Sequence, residues 1–284
     1  MAAATTRWLV RFGYDGTGYY GWARQPGLRT VEAELERGVV RCGAAPSAVS
    51  ARIQVASRTD RGVSALGNAV ALTSSFSPGP LLRALNGIAP DIFFTATTEV
   101  PETFRARAAT ARVYRYLETS PSHDIRTWQA VADRFVGRID VRSLGRGLPA
   151  GAPVWRTVES VTITPRAAGA VIELRAQSFV WGMVRKIVGA LREVEAGRLS
   201  LSRLEQALRG EHRLTLPIAE PEPLLLWDVE FGIPWSDFWG GPNRHQLAWE
   251  RAVRNRLWAG QEMLDALSQA TPKEGHPSTM TQRP

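Results

Sequence analysis

The feature that most limits how this chain can fold is the order of its apolar patterns. Strand, helix, strand, strand, helix, strand is met once between residues 7 and 100 and echoed between residues 111 and 231. Residues 7–14 alternate as a strand does. Thr30 then precedes Val31, Leu35 and Val39 at helical spacing, with Glu32, Glu34 and Glu36 near the start, the pattern of a capped amphipathic helix. Strands are expected at about 51–57 and 67–73, a helix from Pro80 to Ile88, and a strand over 92–100. That order is the ferredoxin-like pattern. In the second series, strands are expected at 111–119, 157–164 and 170–178. A helix follows from Ser178 to Ala196, with Met183, Ile187, Ala190, Leu191 and Val194 on one face, then a helix at 200–209 and a last strand at 224–231. Residues 120–156 show no readable period. The expected organisation is an N-terminal half over 1–105, a C-terminal half over 106–231, and an extension over 232–284, helical after a Trp-rich loop and disordered from 271 on.

Composition excludes several functions. No run of about 18 apolar residues is present, so a membrane span is not expected, and MAAATTRW has no secretory apolar core. The expected location is the cytoplasm. Cys42 is the single cysteine and the histidines number four, so neither a disulfide nor a structural metal is expected. The net charge is +8, and only Lys186 and Lys273 of the 35 basic residues are lysines. Guanidinium groups match phosphates and stack on bases, which fits a polyphosphate partner, and a genome rich in Arg codons explains the same count.

Residues 56–73 set one acid among bases: Asp60 follows Arg58 and precedes Arg61 and Gly62. Cations on both sides favour the ionised carboxylate, which suits a nucleophile, while Asp with Gly between two strands also serves turn geometry alone. At 14–25 the glycines of Tyr14-Asp15-Gly16-Thr17-Gly18 break the first strand ahead of Tyr19, Tyr20 and Trp22. Aromatics interleaved with Arg24 could stack on nucleotides, although Trp22 reads better as packed under the loop. A strand at 111–119 sends Arg112, Tyr114 and Tyr116 to one face, an unusual set that reads as a stacking platform or as half-buried sheet residues.

SRTDRGVSALGNAVAL at 57–72 resembles the motif that carries the catalytic aspartate in TruA-type tRNA pseudouridine synthases. YDGTGYYGWARQP at 14–26, TVEAELERGV at 30–39, RALNGIAPDIFF at 83–94, FRARAATARVYRYLE at 104–118 and SFVWGMVRKIVGAL at 178–191 follow in that family's order, so the resemblance spans about residues 7–231. It implies an α/β (α+β) pseudouridine synthase fold, two ferredoxin-like or RRM-like units forming one continuous mixed sheet with flanking helices. It implies Asp60 as the catalytic carboxylate, Arg185 paired with it, Tyr114 and Leu224 against the base, and Arg58 and Arg61 meeting phosphates or helping to extrude the nucleotide. No cofactor and no metal are implied; the partner is tRNA, at uridines 38 to 40 of the anticodon stem-loop, bound by a homodimer. Ser64, Asn68, Arg105 and Ala23 depart from common family residues, and the middle region is shorter. Those departures keep open a pseudouridine synthase for another tRNA position or another structured RNA. A catalytically inactive RNA-binding protein is the other class. A nucleotide-binding protein finds no phosphate loop here, since Gly13 to Gly21 lacks the Lys-Ser/Thr ending.

Overall fold

The computed structural model describes residues 4–119, 124–148, 151–166 and 169–270. The first strand, β1 (Thr6–Tyr14), leads through a long loop to α1 (Val31–Arg41). The short α2 (Ala48–Ala51), β2 (Gln54–Val55), β3 (Ser64–Ser74), α3 (Pro78–Leu85) and β4 (Ile92–Glu99) follow. β5 (Ala111–Glu118), α4 (Ile125–Ala132), β6 (Gly137–Asp140), β7 (Trp155–Arg166), β8 (Gly169–Ala176), α5 (Met183–Glu195), α6 (Leu201–Leu208) and β9 (Leu224–Glu230) make the second series, and β10 (Asp237–Phe238) and α7 (Arg244–Ala270) close the chain.

One mixed sheet runs β10-β4-β1-β3-β9-β5-β8-β7-β6, with β2 attached to β3. β4-β1-β3-β2 and β9-β5-β8-β7 are the same arrangement, the ferredoxin-like order repeated. The seam between them is the parallel pair β3 and β9, Ser64 opposite Leu225 and Ala65 opposite Leu226; the other pairings are antiparallel. The seam therefore starts where the Asp60 loop ends. Residues through Gly240 form one compact unit, and Gly241 onward form a second. The second contains α7, which carries exposed Leu257, Trp258 and Met263. The expected disorder from 271 on lies outside the described residues.

Helix α1 starts where Thr30 leads its acidic first turn: the Thr30 hydroxyl accepts from the Ala33 N–H, and Val31, Leu35 and Val39 are buried as their spacing requires. Three local expectations change. The strand foreseen at 51–57 shrinks to Gln54–Val55, because Ser47 and Ser50 form a reciprocal cap that winds Ala48–Ala51 into a helical turn, and Arg52 then takes φ 47°. The helix foreseen from Ser178 begins at Met183: Gly182 sits at φ 78°, outside helical backbone, so 178–182 is a loop. Residues 120–156, unreadable by period, hold α4 and the edge strand β6, and Trp128 and Val131 of α4 are buried. No helix among the described residues is long and apolar enough to cross a membrane.

Candidate active site

Loop 56–63 leaves β2 and enters β3, and neighbours on both sides hold it. From the 15–30 segment, the Trp22 N–H donates to the Thr59 carbonyl at 3.0 Å, and the Gly62 N–H donates to the Tyr19 carbonyl at 3.3 Å. Gly21 lies between these contacts at φ 92°, and a Cβ there would stand 3.0 Å from the Thr59 oxygen and 3.1 Å from the Arg61 nitrogen. Both the left-handed backbone and the close approach require glycine. Trp22 is fully buried beside Phe12. Burying a side chain of that size contributes on the order of 2–3 kcal/mol, offset in part by its buried indole N–H, which meets no acceptor among the described residues. Beneath the loop, the Tyr14 and Thr59 hydroxyls share a 2.7 Å hydrogen bond. Asn68, buried on β3, donates to the Ser57 carbonyl at 2.9 Å.

The second series supplies the opposite wall. Arg185, in the first turn of α5, donates from Nη1 to Asp60 Oδ2 at 3.0 Å, and its Nε donates to the Ala219 carbonyl at 2.6 Å. The Ala219 N–H returns a bond to the Arg185 carbonyl at 3.1 Å. The chain can run this close to α5 because Gly189 carries no side chain: a Cβ there would fall 2.2 Å from the Pro217 oxygen. The Asp60 and Arg185 side chains are 22% and 13% exposed, so the pair is largely shielded and its charge-assisted bond is not easily replaced by water. No described residue donates to Asp60 Oδ1. The carboxylate is thus held by one oxygen and presents the other.

The Tyr114 hydroxyl shares a 2.9 Å hydrogen bond with Ser57, and its ring meets Phe179 edge-on at 5.2 Å and 84°. Burial pushes the Tyr114 phenol upward; Ser57 and Arg112 oppose the shift and the Asp60 charge adds to it. A neutral phenol can pack and donate but is a poor proton acceptor. Leu224, buried at the seam, completes the wall. Arg58, Asp60, Arg61, Tyr114, Arg185 and Leu224, all six candidates from sequence, line one cleft of about 1240 Å³.

The platform expected from Arg112, Tyr114 and Tyr116 is not formed, since only Tyr114 serves the cleft as an aromatic wall. Tyr116 is fully buried and donates to Glu220 at 3.1 Å. Arg112 is buried and donates to the carbonyls of Ala56 at 2.8 Å, of Arg107 at 3.1 Å, and of Gln177. It clips the start of the Asp60 loop to the start of the 177–182 loop, and burial lowers its guanidinium from the ordinary arginine range. Of the arginines around the acid, Arg185 and not the flanking Arg58 or Arg61 pairs with Asp60, while the Arg61 guanidinium lies over the half-exposed Tyr20 ring at 4.4 Å. Arg58 is exposed at the cleft.

Further residues complete the lining, of which Arg107, Arg146, Phe179 and Trp181 were not singled out from sequence. Arg107, Arg112 and Arg146 raise the arginines to six, against the two carboxylates Asp60 and Glu222, and Phe179 and Trp181 add aromatic surface. The cleft is therefore positive around a single anchored acid, a field that draws in a polyanion. Among the described residues, no group of three or more His, Cys, Asp or Glu is placed to hold a metal ion.

Comparisons with known proteins place the chain among its relatives. A family model described as tRNA pseudouridine synthase matches residues 131–232. The chain is 40% identical over 228 residues to tRNA pseudouridine synthase A of Thermococcus onnurineus (strain NA1), covering 79% of this chain and 85% of the relative. It is 34% identical over 252 residues to tRNA pseudouridine synthase A of Methanocella arvoryzae (strain DSM 22066 / NBRC 105507 / MRE50), covering 88% and 92%. Among solved structures, the archaeal box H/ACA sRNP Nop10-Cbf5 complex aligns with a TM-score of 0.29 at 15% identity, over 62% of this chain and 43% of that one, a likeness too slight to carry an argument.

Proposed function

Because this chain belongs to the TruA-type tRNA pseudouridine synthase family, we propose that it converts uridine to pseudouridine in the anticodon stem-loop of tRNA, at positions 38 to 40, with Asp60 as the catalytic carboxylate and without a cofactor. The chain is an enzyme of the isomerase class. In the reaction the bond between the sugar carbon C1′ and uracil N1 breaks, the base turns, and C5 bonds to C1′. The proton on C5 is lost and N1 gains one, so no atom is added and no electron leaves the substrate.

The observation that carries this reading is the Arg185–Asp60 pair at 3.0 Å. An arginine on one carboxylate oxygen orients the acid, while the other oxygen is available to attack or to stabilise charge at the reacting carbon. Tyr114 and Leu224 fit the two sides of an extruded base. Arg58 and Arg61 suit the phosphates around it, or the gap left in the stack. In this reading the N-terminal half, 1–105, and the C-terminal half, 106–231, both contribute to substrate binding. The same reading has the enzyme act in the cytoplasm, as a homodimer in which one RNA contacts both subunits.

The test uses tRNA transcripts carrying tritium at C5 of uridine. The reading expects the wild-type protein to release label and chemical mapping to find pseudouridine among positions 38 to 40. Release with the product elsewhere overturns the target and leaves the chemistry standing; no release from any tRNA overturns both.

A further inference from the structure

Trp181 is the most exposed residue in the aromatic lining of the cleft. Its indole is 58% exposed, in a loop whose other aromatic, Phe179, packs on Tyr114. The ring is not loose. The Arg146 guanidinium lies over it at 5.0 Å, and Gly147, at φ 58°, lies alongside, where a Cβ would be in ordinary contact at 3.7 Å from two ring carbons. Arg146 and Gly147 belong to the 141–148 segment, and that segment is fastened to the start of α5. The Arg146 N–H donates to the Trp181 carbonyl at 2.9 Å, and Lys186 Nζ donates to the carbonyls of Ser143 and Gly145 at 3.0 and 3.4 Å. Gly182 lies beside the arginine: a Cβ there would be in ordinary contact, 3.5 Å from Arg146 Cγ and Cδ. Two segments are thus bonded together so that an arginine backs one side of an exposed indole.

The ring is fixed by these contacts and still leaves more than half of the residue's surface to solvent. An indole with a cation behind it and an open face is a stacking platform for a nucleobase. From these contacts we infer a second base-binding subsite: Trp181, braced by Arg146, stacks the base next to the target uridine, while the Arg146 charge lies close to the intervening phosphate. This inference rests on the reading of the cleft as a uridine-isomerising site. It adds that the enzyme holds two consecutive nucleotides out of their stack, the target against Tyr114 and a neighbour on Trp181. Stacking is tolerant of base identity, so the subsite accepts the neighbouring base whatever its letter.

The test uses a hairpin RNA of the anticodon arm, with the nucleotide on the 5′ or the 3′ side of the target made abasic, and measures binding and single-turnover conversion. In the wild type one of the two abasic hairpins binds about 10- to 100-fold more weakly, as the loss of one base–aromatic stack implies. Trp181→Ala loses the same factor on the intact hairpin and nothing further on the abasic one. Trp181→Phe recovers most of the loss. 2-Aminopurine at the same position, quenched by stacking in the wild-type complex, brightens in Trp181→Ala, and this readout needs no turnover. Equal affinity of wild type and Trp181→Ala for the intact hairpin overturns the subsite alone, as does an abasic penalty that persists in the variant. A hairpin that neither binds nor reacts with the wild type overturns the underlying reading, and the subsite with it.

Discussion

The two halves of the sheet repeat one plan and part at one corner. In the second half, β7 and β8 pair through to Arg166 and Gly169, so residues 167 and 168 alone separate them. The matching strands of the first half are β2 and β3, and there β2 is cut to Gln54–Val55 with residues 56–63 standing between them. The shortened strand frees the loop that carries Asp60, and neighbouring backbone bonds replace the lost ladder. The second half keeps its hairpin and contributes instead from β5, the 177–182 loop and α5. A duplicated fold thus gives an asymmetric site, the acid from one half and its arginine from the other, and the β3–β9 seam brings the two together.

The contrast can be broken in graded ways, ordered here by their effect on turnover. Arg185→Ala removes a charge-assisted bond and leaves the Asp60 carboxylate and the Ala219 carbonyl without that donor. Bonds of this kind are worth roughly 1.5–3 kcal/mol, so kcat should fall roughly 10- to 100-fold, and Arg185→Lys should restore little because an ammonium cannot span both acceptors. Single-turnover rates of the three proteins check this.

Gly21→Ala puts a side chain at φ 92°, 3.0 Å from the Thr59 oxygen. The left-handed backbone costs about 1–2 kcal/mol, and its relief must move residues 59–61. A lower melting temperature together with a several-fold lower kcat is expected. Gly169→Ala is the counterpart on the intact hairpin: at φ 135° its Cβ would fall 2.0 Å from the Glu118 oxygen. Melting temperature should drop at least as far as for Gly21→Ala, while kcat of the folded fraction stays at the wild-type value. A loss of kcat in Gly169→Ala as large as in Gly21→Ala would erase the distinction between the two corners.

The smallest effect lies behind the site, where Arg192 and the Tyr116 hydroxyl both donate to Glu220. Their bonds hold its carboxyl down at about 2, Arg192 first among the causes. A depressed folded-state value means that the stability is fully present above the ordinary Glu range and fades as pH falls through about 2. The melting-temperature gap between wild type and Glu220→Gln should accordingly be present at neutral pH and shrink as the solution is acidified. It should be small, because the Glu220 side chain is 63% exposed and solvent screens the pair.

How far the sequence reaches follows the same division. Asp60, Arg185, Tyr114 and Leu224 sit in or beside ordered motifs, and the repeated strand–helix order is carried by apolar periodicity that tertiary packing respects. What escaped is set by contacts between distant segments. Alternation along 111–119 correctly puts Arg112 and Tyr116 on the face of Tyr114, but it does not reveal that three carbonyls from elsewhere in the chain satisfy a buried guanidinium. Nor does it show that Glu220 waits for the Tyr116 hydroxyl. The run from Ser178 looks helical because its apolar residues continue the period of α5; Gly182 was the available sign of a break. Arg146 and Trp181 meet only through folding across 35 residues of sequence, and neither is remarkable alone.

The account's central claim is that one carboxylate, Asp60, carries the chemistry. Its most direct test is single-turnover tritium release from C5-labelled tRNA held saturated with enzyme, comparing wild type, Asp60→Asn and Asp228→Asn. Asp228 makes a comparable 3.0 Å pair with Arg11 and does not line the cleft. The account predicts that Asp60→Asn binds the tRNA and releases no label, while Asp228→Asn releases it at close to the wild-type rate. Label release by Asp60→Asn at a rate near that of wild type would contradict it.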